Sequence, residues 1–202
     1  MSVIIRAAED ADLKLVVGCH LEAFPSFFLS LLGPKFLSCF YKSFVAYEDA
    51  ELLVALEENH IIGFAAYATE PKIFFSKIKR EKGIELFWYA LPALFKNPVV
   101  VVKKLYRGIF YRGDQDSQID DAALLSSIGV SPMASGKRIG SKLLAEVESR
   151  VVQSGKNKLY LTTDLNDNTA TLNFYGKNGY SEHSKFRQSD DRYMLRLIKQ
   201  LS

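Results

Sequence analysis

The chain has 202 residues, of which 48% are hydrophobic and 12% aromatic, which is enough for a core and too much for a disordered chain. With 26 basic and 23 acidic residues, the net charge of +3 gives no reason to expect nucleic acid as a partner. Two cysteines exclude a disulfide framework, and no Cys/His cluster has the spacing of a zinc site. The length predicts one domain over residues 1–202.

The sequence gives no sign of secretion or membrane insertion. Its first ten residues lack the charged region and long apolar run of a signal peptide, and no uninterrupted apolar run reaches the length of a spanning helix. Sparse cysteine is typical of a reducing compartment. We therefore expect a cytoplasmic protein.

The first third of the chain predicts a strand, two helices and a β-hairpin. β-branched runs favour strands, an apolar period near 3.6 favours helices, and Glu58-Asn59 favours a tight turn. In chain order the elements are a strand at 3–7, helices at 12–24 and 35–47, and strands at 51–57 and 60–69.

Residues 71–113 mix aromatic side chains with an excess of positive charge. They hold ten Lys and Arg residues against two Glu, a net charge of +8, which leaves −5 for the rest of the chain. The predicted helices are 73–90 and 97–110, with boundaries at Pro71, Pro92 and Pro98. The polar, acidic stretch 113–121 predicts an exposed loop, so 71–121 reads as a basic helical insertion followed by an acidic loop.

The C-terminal part alternates strand and helix before two closing strands. Its predicted elements are a strand at 123–130, a helix at 138–154, a strand at 158–164, a helix at 168–177, and strands at 181–188 and 191–198. This order of elements predicts a mixed sheet with helices on both faces.

A glycine-containing turn follows the predicted strand 123–130. Because a helix begins within this turn, unpaired amide N–H groups converge at the positive end of the helix dipole, where phosphate or pyrophosphate binds. Gly136 would let the backbone approach an anion closely, and Gly140 removes a side chain where the helix meets ligand or strand. The pattern is neither a Walker motif nor a dinucleotide fingerprint. A structural turn with tight helix packing is the alternative.

A second polar segment follows the predicted strand 158–164. Asn166 or Asn168 ends the strand and starts a helix that Gly179 stops. Tyr175 lies two helical turns after Asn168, on the same face. The alternative is that Asn168 is a helix cap and Tyr175 a core aromatic residue.

Together these two segments resemble the GNAT superfamily of acetyl-CoA-dependent N-acetyltransferases. The first resembles its pyrophosphate motif, here Val130-x-Pro132 followed by Gly136-Lys137-x-Ile139-Gly140-x-x-Leu143-Leu144. The second resembles its other motif, here Asn168, Tyr175, Lys177, Gly179 and Tyr180. This sequence departs from the family at Ser135, where Arg or Gln is common, and at Arg138, which occupies the middle glycine position and could place a cation beside a phosphate.

The resemblance implies an α/β (α+β) fold with a mainly antiparallel sheet of about seven strands and a helical insertion between strands three and four. It also implies acetyl-CoA as cosubstrate, no metal, and direct attack by an amine. The residues expected to bind the cosubstrate are Ile128 and Val130 for the pantetheine arm, Gly136, Lys137, Arg138, Ile139, Gly140 and Ser141 for the pyrophosphate, and Asn168. Tyr175 would protonate the departing thiolate as general acid.

The general base stays open at this stage. Ser126 and Ser127 lie on the strand where many relatives carry a carboxylate. The candidates are His20, Glu22, Glu70, Asp164 and His183, and a water chain is a further alternative. His20 and Glu22 lie on the first predicted helix, which borders the acceptor site in this superfamily.

The predicted function is transfer of an acetyl group to a primary amine of a small molecule, with an amino sugar or sugar nucleotide favoured over a protein N-terminus or Lys. Residues 71–113 would then meet an anionic substrate. The alternative is a catalytically weak CoA-binding module that docks on anionic membranes through 71–113, and a solvated helical face is the simplest reading. We expect no nucleic-acid partner, and a homodimer is left open.

Overall fold

The protein is built around a sheet of seven strands, as described by a computed structural model that covers residues 3–96, 119–189 and 192–202. The strands are β1 (Ile4–Ala7), β2 (Ala50–Glu57), β3 (His60–Ala68), β4 (Ala123–Val130), β5 (Lys158–Asp164), β6 (Ser181–Ser189) and β7 (Arg192–Gln200). The α-helices in these ranges are α1 (Leu13–Ala23), α2 (Phe28–Leu31), α3 (Pro34–Ala46), α4 (Pro71–Lys96), α5 (Ile139–Gln153) and α6 (Thr169–Lys177).

The strand order across the sheet is β1-β2-β3-β4-β5-β7-β6. Every neighbouring pair is antiparallel except β4 and β5, which are parallel. This confirms the mixed, mainly antiparallel fold, with a helical insertion, α4, between β3 and β4.

Both faces of the central strands are buried. Leu53 and Ala55 of β2 pack on one face in a cluster that includes α5. Leu52 and Val54 pack on the opposite face with α1, α3 and the first turns of α4. Alternate residues of a strand point to opposite faces, so a strand covered on both faces is apolar throughout.

One predicted helix boundary is wrong. Pro92 lies inside α4, which continues to Lys96 instead of ending near residue 90. Proline costs a helix one hydrogen bond, but Ala90 and Ala93 on either side are buried against Leu32 and Phe36, and this packing supports the helix through the interruption. The predicted helix 97–110 and the acidic loop up to residue 118 lie outside the described residues.

The short helix α2 was not predicted from the sequence. Its four residues are too few to show a helical period, and none is buried. A search of the helices within the described ranges finds none that is both long and apolar enough to cross a membrane.

Candidate active site

Strands β4 and β5 separate soon after they begin. They pair only through Ala123 with Leu159 and Leu124 with Tyr160. Beyond this point β4 stays paired with β3 as far as Val130, whereas β5 pairs with β7. In the part of the chain that the structure describes, residues 125–130 therefore have no neighbouring strand on the β5 side.

The open edge of β4 presents the backbone groups of alternate residues. The Ser131 N–H donates to the Ile62 carbonyl at 2.9 Å. Because backbone groups of an antiparallel strand point alternately to its two edges, Gly129 faces β3 as Ser131 does, and Ile128 and Val130 present their N–H and C=O groups to the open edge. These are the two residues predicted to pair with an extended ligand.

The turn after β4 leaves several amides free at the start of α5. Gly136 has φ +80° and Arg138, the residue before the helix, has φ +59°. The first helical hydrogen bond runs from the Lys142 N–H to the Arg138 carbonyl at 3.1 Å. Within the described ranges, the N–H groups that make no hydrogen bond are those of Gly136, Arg138, Ile139, Gly140 and Ser141. An anion at this helix start would meet both free donors and the helix dipole.

Lys137 differs from the other predicted pyrophosphate ligands. Its N–H donates to the Ala134 carbonyl at 3.4 Å within the turn. Its ammonium forms an ion pair with Glu57, with 2.6 Å between Nζ and Oε2. The contribution of Lys137 to an anion site is therefore the smallest of the six residues in this turn.

The two sequence motifs meet in space. A Cβ at Gly140 would lie 3.3 Å from two ring atoms of Phe174 on α6. The Phe174 and Tyr175 rings are also in contact, with centroids 5.0 Å apart. The absence of a side chain at Gly140 thus allows α5 to approach the helix that carries Tyr175.

Tyr175 and Asn168 lie at the two ends of α6. Tyr175 is 6% exposed, and burial raises the pKa of its hydroxyl, which is therefore protonated at neutral pH. This hydroxyl makes no hydrogen bond to any residue that the structure describes. The Asn168 amide group donates to Thr163 Oγ1 at 2.7 Å and to the Asp164 carbonyl at 2.9 Å, which leaves its Oδ1 for a ligand.

Polar side chains on the α1 side of β4 form a second group. His20 Nδ1 and the Tyr41 hydroxyl are 2.7 Å apart, and the Tyr41 hydroxyl lies 3.2 Å from Ser127 Oγ. Nearby, the Ser131 hydroxyl donates to the exposed Glu22 carboxylate at 3.0 Å. Sequence reasoning missed Tyr41, since it lies 86 residues from Ser127 and carries no local motif.

The remaining candidate bases lie in other surroundings. Asp164 is held by the Arg192 guanidinium through both carboxylate oxygens. Glu70 forms an ion pair with Lys156, with 2.5 Å between oxygen and nitrogen. His183 is half-buried on β6. A carboxylate held in an ion pair is a poor proton acceptor, so His20 and Glu22 are the better placed candidates.

Residues 102–180, which contain both motifs, match a family model described as the acetyltransferase (GNAT) family. The chain carries a GNAT acetyltransferase domain. A comparison with curated proteins gives no match. The match confirms the resemblance that the motifs indicated, and with it acetyl-CoA as the acetyl donor of the GNAT domain.

Solved structures share the fold along the whole chain. A GNAT-family protein from Desulfovibrio desulfuricans is 16% identical with a TM-score of 0.66, and the match covers 100% of both chains. A ribosomal-protein-alanine N-acetyltransferase from Brucella melitensis is 17% identical with a TM-score of 0.64, covering 98% of this chain and 99% of that one. An N-acetyltransferase from Thermoplasma acidophilum in complex with coenzyme A is 16% identical with a TM-score of 0.56, covering 99% of each chain.

The insertion helix α4 shows paired charges and an exposed aromatic face. Its ion pairs are Lys72–Asp120, Lys77–Asp49, Arg80–Glu81 and Lys82–Glu85. Ile84, Phe87, Trp88 and Phe95, the aromatic face of α4, are exposed, Trp88 by 63% and Phe95 by 85%. Local acids therefore offset much of the positive charge of the GNAT domain's insertion.

A search of the described side chains finds no group of three or more His, Cys, Asp or Glu residues that could hold a metal ion.

Proposed function

We propose that the protein is an N-acetyltransferase that moves the acetyl group of acetyl-CoA to a primary amine of a small molecule, with an amino sugar or sugar nucleotide as the favoured acceptor. The observation that carries the proposal is the open edge of β4 leading directly into the free amides of the turn before α5. A ligand with an amide-containing arm and a pyrophosphate fits this sequence of donors.

The donor would be held mainly by backbone groups. Ile128 and Val130 would pair with its pantetheine arm as a neighbouring strand would, and the free amides from Gly136 to Ser141 would bind the pyrophosphate. The Oδ1 of Asn168 would accept a hydrogen bond from the donor. The bound thioester supplies an activated acetyl group, and the Val130 N–H would polarise its carbonyl.

Tyr175 is the proposed general acid. Its raised pKa keeps the hydroxyl protonated at neutral pH, and it has no competing hydrogen bond within the described part of the chain. A protonated hydroxyl can give its proton to a departing thiolate. The amine attacks the acetyl carbon directly, so neither cysteine is required.

The charge of α4 supports an anionic acceptor. Residues 71–96 contain six Lys and Arg against two Glu, a net charge of +4. An amino sugar that carries a phosphate or a nucleotide would be attracted to this helix. A protein acceptor is the alternative within the same activity, since the Brucella melitensis neighbour is named as an enzyme for a ribosomal protein.

The direct test is thiol release from acetyl-CoA with a panel of amines. The panel contains glucosamine, glucosamine 6-phosphate, a nucleoside-diphosphate amino sugar, a peptide beginning with Ala and a peptide with an internal Lys. We expect the phosphorylated amino sugars to give the highest kcat/KM. If no amine raises thiol release above the rate with water, the acetyltransferase proposal is wrong, and faster reaction of a peptide would reassign the acceptor class.

The aromatic face of α4 supports a second candidate, a CoA-binding module that docks on an anionic membrane. Exposed Trp and Phe beside Lys and Arg are typical of helices that lie in a membrane interface. Trp88 is the only tryptophan of the chain, so its fluorescence reports on this face alone. A blue shift of its emission with vesicles containing phosphatidylserine, absent with purely zwitterionic vesicles, would support docking, and an unchanged emission would exclude it.

A further inference from the structure

Three hydrogen-bonding groups lead from β4 into the interior beneath α1. Ser127 Oγ is half-buried on the strand, the Tyr41 hydroxyl lies 3.2 Å from it, and His20 Nδ1 lies 2.7 Å beyond. The other ring nitrogen of His20, Nε2, is buried and has no hydrogen-bond partner. Since buried polar atoms are almost always paired, an imidazole left with one free nitrogen at the end of such a chain calls for a functional explanation.

The surroundings of His20 keep its imidazole neutral. The side chain is 2% exposed, and the rings of Phe24, Tyr41 and Phe64 pack against it with centroids between 5.1 and 5.9 Å away. Burial lowers the pKa of His20 to about 4, which lies in the ordinary range of a carboxylate. At neutral pH the ring is therefore unprotonated and able to accept a proton.

The ionisable groups near this chain leave the imidazole as its terminal acceptor. On α1 itself, burial raises the pKa of the Cys19 thiol to about 11, so this group stays protonated. Glu22 is exposed and bonded to Ser131. On α3, burial raises the pKa of the Tyr41 hydroxyl, so it can pass a proton on without staying ionised.

We infer that the chain from Ser127 through Tyr41 to His20 removes the proton of the acceptor amine. Ser127 contacts the amine, and Tyr41 and His20 act through Ser127. This inference rests on the proposed acetyltransferase function and assigns the general base that the sequence left open.

The transfer balances as follows. As the amine nitrogen bonds to the acetyl carbon, its N–H bond breaks and the proton passes to Ser127 Oγ. The Ser127 proton moves to the Tyr41 oxygen, and the Tyr41 proton moves to His20 Nδ1. His20 becomes an imidazolium and Tyr175, having protonated the thiolate, becomes a phenolate. Solvent then returns one proton from the first to the second.

Three conservative variants test this chain. Ser127→Ala and Tyr41→Phe each remove a single oxygen, and His20→Gln leaves Tyr41 a hydrogen-bond partner that cannot take up a proton. Cys19→Ala is the matched control, because it perturbs a buried residue next to His20 without touching the chain. The substrate is the amine with the fastest thiol release in the panel above, and acetyl-CoA affinity is measured calorimetrically for every variant.

We expect each of the three variants to lower kcat about 100-fold, the range of a lost proton acceptor, with unchanged acetyl-CoA affinity. Ser127→Ala combined with Tyr41→Phe is expected to lose no more than either alone, because both break the same chain. In the variants kcat is expected to rise with pH from 7 to 9, because the amine must then lose its proton to solvent. Cys19→Ala is expected to keep the wild-type kcat and pH profile.

The contrary results separate the inference from the proposed function. Wild-type kcat in Tyr41→Phe or His20→Gln overturns the inference alone, and so does a loss confined to Glu22→Gln, which would make Glu22 the base. Loss of stability without a changed pH profile also overturns it, because a structural role predicts that result. A wild-type protein that releases no thiol with any amine overturns the proposed function, and the inference with it.

Discussion

Gly129, one residue before the end of β4, has no room for a side chain. A Cβ built on it would lie 2.7 Å from Phe64 Cε1 and 2.9 Å from Phe24 Cε2. Carbon atoms in contact are normally about 3.5–4.0 Å apart. Gly129→Ala therefore forces two aromatic rings away from the strand that carries the proposed donor edge.

The cost follows from how firmly these rings are held. Phe64 is fully buried, and its ring packs against those of Tyr41 and His20 with centroids 5.3 and 5.9 Å away. Overpacking of such a core costs about 1–3 kcal/mol, and replacing glycine within a strand recovers about 0.5–1 kcal/mol of it. We expect Gly129→Ala to lower the free energy of unfolding by about 1–2 kcal/mol.

Urea unfolding followed by circular dichroism measures this change. The matched control is Gly18→Ala within α1, where a Cβ would meet no atom within 4 Å. Because alanine favours a helix over glycine, we expect the control to gain about 0.5–1 kcal/mol. A Gly129→Ala protein as stable as the wild type would refute the close packing of Phe24 and Phe64 on β4.

Three further predictions concern single side chains. Tyr175→Phe is expected to lower kcat about 100-fold or more with unchanged acetyl-CoA affinity, and wild-type turnover would remove Tyr175 as the acid. The folded-state pKa of His20, about 4, lies below the unfolded value of about 6.5. As pH falls from 6.5 to 4 the unfolded state takes up the proton first, so the wild type is expected to lose about 3 kcal/mol more than His20→Gln; equal losses in urea titrations would contradict this. Arg138→Gly relieves a left-handed backbone conformation that costs about 1–2 kcal/mol, less the entropy cost of glycine, so we expect a small rise in Tm, and a fall would show that the Arg138 side chain stabilises the turn.

Much of the fold could be predicted because its signals are local. The strand predicted at 158–164 has those bounds in the structure. The turn at Glu58-Asn59 has positive φ at both residues, as a tight hairpin requires. Pro92 misled because proline is a local signal of a helix end, whereas the packing that carries α4 past it comes from α3, far away in sequence.

The candidate site divides in the same way. The free amides before α5 follow from a turn that runs into a helix, and a short stretch of sequence contains all of that information. By contrast, the ion pair of Lys137 with Glu57 joins residues 80 positions apart, and Tyr41 meets Ser127 across 86 positions. No local pattern indicates such contacts, so the donor side was predictable and the acceptor side was not.

The two proposed proton pathways lie on opposite faces of the sheet. Tyr175 belongs to the core cluster that contains α5, and Tyr41 to the cluster formed by α1 and α3. Strand β4 lies between them, with its open edge as the place where both faces meet. The acid and the base are thus kept apart by packed strands, and neither can neutralise the other directly before the substrates bind. An amine and a thioester brought together at that edge would connect the two pathways, so that proton uptake on one face and proton release on the other accompany the same acetyl transfer.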